Sequence, residues 1–301
     1  MTGTNLSHDE LSPHADQVET HPRGAASRVT PAVTLAALLL PRTGTVLDLG
    51  STLSRDMPKG KGQDDAFAPF QLLRHRTTVD SAREGGKAGT TFSTELIQGT
   101  PHTGTHFDAF AHVQLDGRVF GGGTAAEHER DFGWTHAGIE TVAPVLTRGL
   151  LLDVAADEGV DQLSDDMVIS VEQVQASLRR RDLAVRSGDA VLIRTGKMRD
   201  YGDPTRWAGA IPGLGVDAAI WLYEQGMAVV GADNPSVEPN PTADWSRHLH
   251  VELLYRRGVH LLEWMDLEPL HESGATEFLF CALPLKIRGA TGSWIRPIAV
   301  I

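Results

Sequence analysis

The chain has 301 residues, of which 41% are hydrophobic, so it can bury a substantial core in one large domain or two small ones. Its net charge of −12 argues against nucleic acid or an anionic membrane as a partner, because both select basic surfaces. A single cysteine, Cys281, excludes an intrachain disulfide, and no run reaches the roughly 18 consecutive apolar residues of a membrane helix. The opening residues lack the basic start of a secretory signal, and the sequence predicts a cytoplasmic protein.

Residues 1–44 are predicted to form a mobile arm, or an arm that lies across a partner. About the first 30 of them are rich in Ser, Thr, Asp, Glu, His and Gly, with too few large apolar side chains to offset the entropy lost on ordering. His8, His14 and His21 fall in this arm and are interpreted as solvated residues, since no preformed site orients them.

From residue 45 to residue 301, strand-like and helix-like stretches alternate. Short apolar or β-branched runs bounded by Gly, Pro or Asp predict strands over Thr45–Leu49, Thr91–Leu96, Gly149–Val154, Ala190–Thr195, Met227–Gly231 and Thr276–Ala282. The spacing of Val, Leu and Trp predicts helices over Ser170–Arg179, with Ser170 as the cap, and over Val216–Gln225. No repeat and no break in composition marks a second domain, so we predict one mixed α/β domain over residues 45–301.

The segment Pro101–His112 combines imidazoles and a carboxylate at close spacing. The candidate ligands are His102, His106, Asp108 and His112. Neutral imidazole and carboxylate are ordinary ligands for zinc and similar divalent ions, and a cluster this dense is hard to explain by packing alone. The segment therefore predicts a metal site.

The backbone of this segment is predicted to bend at Gly104. Pro101 and the β-branched threonines disfavour a helix, and a fully extended strand would separate His102 from Asp108 by about 20 Å. After a bend, His106 and Asp108 are two residues apart and would point to the same side of an extended chain. From Asp108 onward the sequence is typical of an acidic helix start, with a histidine one turn further along.

The segment His102–His112 resembles the HxGTHxDxxxH signature of the metal-dependent cyclase-like hydrolases, a family that includes bacterial kynurenine formamidase and isatin hydrolase. Other segments match the family in the same order along the chain: Leu47–Leu49, Asp56–Pro58, Ser187–Gly196, Gly231–Asp233, His250 to Glu263, and Arg288–Ser293. Together they extend over residues 45–301. The resemblance implies a swivelling β/β/α domain, with a mixed sheet and flanking helices, that assembles into homodimers or larger homo-oligomers.

The resemblance also implies roles for individual residues. His102, His106 and Asp108 match the first metal site of the family, and His112 matches its catalytic histidine. In members with two ions, Asp108 would bridge to a second ion held by residues that match His250 and Glu263; His248 is also available as this distal ligand. Family members hold zinc or manganese, and one ion or two, so the identity and number of the ions stay open.

The reaction implied by this site is hydrolysis of a carbonyl C–N bond in a small aryl formamide, amide or lactam by metal-activated water. His112 is placed to accept the proton of the water and return it to the leaving nitrogen. Trp245 and His248 are predicted to contact the small-molecule substrate. Two other functions stay open: a metal-dependent cyclase or dehydratase of a biosynthetic pathway, and a noncatalytic metal-binding protein.

Overall fold

The computed structural model describes residues 21–59, 70–83, 90–242 and 247–301. The strands are β1 (Val46–Asp48), β2 (Phe70–Arg76), β3 (Thr94–Gly99), β4 (His106–Asp108), β5 (Glu129–Arg130), β6 (Gly133–Trp134), β7 (Val145–Asp153), β8 (Val168–Ile169), β9 (Ala190–Arg194), β10 (Gly213–Leu214), β11 (Val229–Ala232), β12 (His260–Glu263), β13 (Glu277–Ala282), β14 (Gly292–Trp294) and β15 (Ile298–Val300). Every strand predicted from the sequence overlaps one of these.

The α-helices are α1 (Pro31–Ala37), α2 (Thr78–Arg83), α3 (Ala125–His128), α4 (Val154–Asp157), α5 (Val171–Arg180), α6 (Pro204–Trp207), α7 (Val216–Glu224) and α8 (Glu268–Ser273). Single 3-10 turns occur at Gly24–Arg28, Phe110–His112, Ile139–Thr141 and Lys197–Asp200, and a π-helical turn at Val251–Arg256. Within the described ranges, none of the helices is long and apolar enough to cross a bilayer.

Within the described ranges, nine strands form one mixed sheet in the order β1-β15-β13-β7-β9-β11-β12-β4-β14. The central strands β7, β9, β11 and β12 run parallel to one another, and the strands on either side of them pair antiparallel. Parallel strands are usually buried on both faces of their sheet, and the side chains of β9 are buried on both faces. Val191 and Ile193 pack into one apolar core, whereas Ala190 and Leu192 pack into another. The predicted mixed α/β fold is confirmed.

The two longest helices cover one face of this sheet. The side chain of Ser170 accepts the backbone N–H of Gln173, and Gln173 Oε1 accepts the N–H of Ser170, so α5 begins with a capping box in which Ser170 is the predicted cap. Val174 and Leu178 of α5 and Leu222 of α7 are buried in the same apolar core. Both predicted helices are therefore present, and each buries one apolar side.

Residues before the predicted boundary at 45 already form regular structure. The turn Gly24–Arg28 and helix α1 lie within the segment predicted to be a mobile arm, yet they pack on the domain. Ala25 is buried, and Arg28 Nη1 donates to the carbonyls of Tyr223 and Met227 at 2.8 and 2.9 Å. Buried alanines and hydrogen bonds to the backbone near the end of α7 therefore hold this segment on the domain. The rest of the predicted arm, residues 1–20, lies outside the described residues.

Candidate metal centre

The chain turns sharply at Gly104 and then enters β4. Gly104 has φ +66°, and a Cβ added there would lie 2.3 Å from Leu53 Cδ2, so the turn requires glycine. In β4 the side chain of Phe107 is buried in an apolar core, while His106 and Asp108 on either side of it point away from that core. The predicted bend and the shared orientation of His106 and Asp108 are confirmed.

β4 is held between two strands from the later part of the chain. His106 lies opposite Glu263 of β12, and Asp108 lies opposite Gly292 of β14. Gly292 leaves room for an imidazole, because a Cβ added there would come within 2.6 Å of His102 Cε1. Sheet pairing therefore brings a distant carboxylate and the His102 ring to the same face of β4.

The carboxylate of Asp108 is fully buried at the centre of a ring of imidazoles. Its Oδ1 lies 2.8 Å from His102 Nδ1 and 3.5 Å from His106 Nε2, and its Oδ2 lies 3.9 Å from His250 Nε2. Within the described residues, neither oxygen meets a donor in hydrogen-bonding geometry. A buried carboxylate with this environment is costly unless a cation compensates its charge. The donor set and the unsatisfied oxygens fit a divalent metal ion.

A second carboxylate, Glu263, faces the same imidazoles. Glu263 Oε2 lies 3.3 Å from His106 Nε2, and Oε1 lies 3.1 Å from His250 Nε2. Glu263, His106 and His250 are all buried. His248 is directed differently, because its Nε2 contacts Glu238 Oε1 at 3.0 Å. The sequence left both His248 and His250 available as the distal ligand. His250 is the one that faces Glu263.

Contacts on the far side of each ring fix how the histidines present their nitrogens. His106 Nδ1 lies 2.8 Å from the carbonyl of Gly104, which can only accept, so the neutral ring donates there and directs the Nε2 lone pair at the carboxylates. His102 Nε2 lies 2.9 Å from Thr291 Oγ1, which leaves Nδ1 toward Asp108. Such outer hydrogen bonds are the usual means of orienting metal-binding histidines.

The short turn after β4 places His112. The sequence predicted a helix starting at Asp108, but Asp108 stays in β4, and only a single 3-10 turn, Phe110–His112, follows it, with Ala109 in the capping position. The prediction of a longer helix start is wrong because sheet pairing with β14 keeps Asp108 extended.

His112 stacks on His102, with ring centroids 3.9 Å apart and planes inclined by 20°, and its centroid is 6.0 Å from that of His250. Burial lowers the pKa of His112 to about 4, although the charge of Asp108 opposes this change. The ring is therefore neutral near pH 7 and can accept a proton.

The charges of the centre favour a cation. Burial alone would raise the pKa of Asp108, but the neighbouring imidazoles outweigh burial and hold that pKa far below its usual range. Burial would lower the pKa of His106 and His250, yet both are raised, by Glu263 for His106 and by Glu238 and Glu263 for His250. Carboxylates that attract protons to these rings attract a metal ion in the same way, and metal binding displaces such protons.

The structure thus brings the predicted site residues into one cluster. Groups with ligand atoms within 4.8 Å of one another are formed by His102, His106 and Asp108, by Asp108, His112 and His250, and by Glu238, His248 and His250. Glu263 joins them through its contacts with His106 and His250. Trp245, predicted to contact the substrate, lies outside the described residues. The individual roles of these residues stay predictions.

Three residues near the centre were not identified from the sequence. Thr291 contacts His102, Glu238 contacts His250, and His260 Nδ1 lies 2.8 Å from the backbone carbonyl of Asp108. Thr291 falls in a segment that matches the family, but no spacing rule connects it with a histidine so far away in the chain. Glu238 lies in the loop that follows β11, a parallel strand of the sheet. Ligand-binding groups commonly lie beyond the carboxyl ends of parallel strands, and this position is the signal that could have suggested Glu238.

Comparison with known proteins supports this description. A family model described as putative cyclase matches residues 47–239. Kynurenine formamidase of Bacillus anthracis is 26% identical over 260 residues, which cover 85% of this chain and 98% of that protein. Kynurenine formamidase of Bacillus mycoides is 25% identical over 197 residues, covering 65% of this chain and 75% of that protein.

Among solved structures, one described as a novel cyclase superposes with a TM-score of 0.85 at 28% identity, covering 97% of this chain and all of the other. Isatin hydrolase A from Ralstonia solanacearum gives a TM-score of 0.62 at 24% identity, covering 89% of this chain and 94% of its own, a likeness of fold. The cyclase fold that the sequence resemblance implied is confirmed. Because the family model covers most of the domain and includes the whole ligand segment, the chain belongs to the putative cyclase family.

Proposed function

We propose that this protein is a metal-dependent hydrolase that cleaves a carbonyl C–N bond in a small aryl formamide, amide or lactam. The observation that carries the proposal is the buried carboxylate of Asp108, surrounded by imidazoles, with the neutral ring of His112 stacked on one of them, His102. Relatives and structural neighbours named kynurenine formamidase and isatin hydrolase support this reaction class.

The proposed ion is zinc or manganese, since both accept imidazole and carboxylate ligands. His102, His106 and Asp108 would hold the first ion; Asp108, His250 and Glu263 would hold a second. When bound, such an ion supplies Lewis acidity that polarises a carbonyl and acidifies water.

His112 is the proposed proton carrier. As the water oxygen forms a bond to the carbonyl carbon, the neutral ring accepts a proton from that water, and it returns the proton to the nitrogen as the C–N bond breaks. His102 supports this role, because the stacked rings restrict how far His112 can turn.

A substrate panel tests the reaction class. N-formyl aniline, an isatin-type lactam and a plain carboxylic ester should be offered to the metal-loaded protein. We expect at least one of the two nitrogen substrates to be hydrolysed faster than the ester, with products whose combined mass exceeds that of the substrate by one water. Inactivity on both, together with a mass-neutral or dehydrative conversion of a polyketide-like compound, would favour the cyclase or dehydratase instead.

We also propose that copies of the chain associate into a homodimer or a larger homo-oligomer. The strands β2 and β3 pair with each other as a separate two-stranded sheet, and Leu72, Leu73, Leu96 and Ile97 on it are about half exposed. A two-stranded sheet has little stability of its own in water, so cover of these exposed side chains by a second copy would stabilise it. Light scattering should give the mass of two or more chains; the mass of one chain would contradict the proposal. A cytoplasmic location stays a prediction from the sequence.

A further inference from the structure

Glu238 lies in the loop after β11, and its side chain is almost entirely buried. Its Oε1 lies 2.7 Å from His250 Nδ1 and 3.0 Å from His248 Nε2, and its Oε2 accepts the backbone N–H of Leu249 at 2.7 Å. One carboxylate thus contacts three consecutive residues at the start of the π-helical turn Val251–Arg256. Pi-helical turns are rare and are found frequently at functional sites.

The contact with Glu238 determines which nitrogen His250 offers to the centre. A carboxylate accepts hydrogen bonds, so Nδ1 of His250 donates to Glu238, and the Nε2 lone pair is left facing Glu263 Oε1 at 3.1 Å and Asp108 Oδ2 at 3.9 Å. The ring is thereby held in one tautomer and one orientation. Contacts of this kind between a carboxylate and a histidine strengthen metal binding in proteins.

The backbone around Glu238 is strained in a way that keeps the carboxylate in place. Val237 has φ +58°, which is a true outlier for a β-branched residue. Its carbonyl accepts the backbone N–H of Leu214 at 2.8 Å. Gly213 packs directly against the loop, because a Cβ added there would lie 2.2 Å from the carbonyl carbon of Glu238. Strained backbone persists where surrounding structure over-determines it, and it concentrates at functional sites.

We propose that Glu238 is a positioning residue that builds the second metal position by orienting His250. The inference rests on the proposed function only in taking the centre to bind metal. Glu238 touches neither the proposed ions nor the substrate; it acts by orienting a ligand.

The test uses Glu238→Gln and Glu238→Asp, with Glu277→Gln as the matched control. Glutamine offers one acceptor oxygen where the carboxylate offers two, so it cannot accept from both His250 and Leu249. Glu277 accepts from Arg148 Nη1 on β7 at 2.7 Å and has no part in the centre. Chelator competition with Zn²⁺ and with Mn²⁺ gives the affinity of each ion, and the absorption spectrum of the Co²⁺-loaded protein reports the ligand geometry.

We expect Glu238→Gln to bind the first ion as the wild type does and the second ion about 10- to 100-fold more weakly. Glu238→Asp should recover part of this loss, and Glu277→Gln should show none. The Co²⁺ spectrum should change only in the component that belongs to the second ion. Gly213→Ala, which displaces the loop while keeping the carboxylate, should weaken the second ion in the same way.

Two results with the variants would overturn the proposal, and so would a wild type that binds only one ion. One is a Glu238→Gln variant that binds both ions with wild-type affinity. The other is a His248→Gln variant that loses the second ion while Glu238→Gln keeps it, which would place an ion on His248 instead. Thermal unfolding of the metal-free variants shows whether a loss of affinity reflects misfolding. If the wild type binds two ions and hydrolyses no C–N substrate, the proposed function fails and the role of Glu238 stands. If the wild type is active with a single ion, the proposed function stands and the role of Glu238 fails.

Discussion

His112→Ala should keep its metal and lose about 10²- to 10⁴-fold in turnover, the usual contribution of general acid–base catalysis. The ring of His112 is neutral near pH 7 because burial lowers its pKa to about 4, and it stacks on the ligand candidate His102. Removing it should leave the oxygens of Asp108 and the nitrogens of His102 and His106 in place. Steady-state kinetics on the best nitrogen substrate, with elemental analysis of the same sample, measures both effects.

The matched control for this variant is His136→Ala, which removes a histidine outside the centre whose Nε2 lies 3.2 Å from the carbonyl of Phe120. It should retain both metal and turnover. If His112→Ala loses its metal together with its activity, His112 is a permanent ligand and some other group moves the proton. Retained metal with lost turnover would also exclude a protein that only binds metal.

His106→Ala should lose most of the bound metal and, with it, turnover. His106 Nε2 lies 3.5 Å from Asp108 Oδ1 and 3.3 Å from Glu263 Oε2, so this one nitrogen lies close to both carboxylates. Outer hydrogen-bond partners of metal ligands contribute about 10- to 100-fold in affinity, and removing a ligand itself should cost more than that. Elemental analysis of purified protein gives the metal content directly.

His21→Ala is the comparison for His106→Ala. His21 is exposed and accepts the backbone N–H of Arg23 at 3.1 Å, so its removal should leave the metal content unchanged. Equal metal content in the two variants would refute the assignment of the site to the segment around β4.

The local geometry of the ligand segment could be predicted from stereochemistry alone. Gly104 supplies the bend because its φ of +66° is closed to most residues, and the two-residue period of a strand sets His106 and Asp108 on one side. Each of these inferences depends on neighbours in the sequence. The helix start after Asp108 failed for the opposite reason: pairing with Gly292 of β14 decides the conformation there, and that partner is far away in the chain.

The choice between His248 and His250 as a ligand of the second ion could not be made from the sequence. Nothing in the spacing of His248 and His250 shows which ring faces Glu263, because the answer depends on Glu238 and on the loop that holds it. The contact of Thr291 with His102 likewise joins two segments that are 189 residues apart in the sequence and that the sheet brings together. Six strands and two helices could be located from their patterns, but neither the other elements, such as β12 and β14, nor the order of the strands in the sheet could be.

The position of β4 between β12 and β14 also bears on how the protein is made. The proposed ligands of the first ion, His102, His106 and Asp108, leave the ribosome early, whereas both strands that hold β4 belong to residues 260–294. A nascent chain that ends before residue 260 therefore carries the whole ligand segment without the framework that orients it. Metal affinity should therefore arise late in synthesis, as a property of the completed sheet.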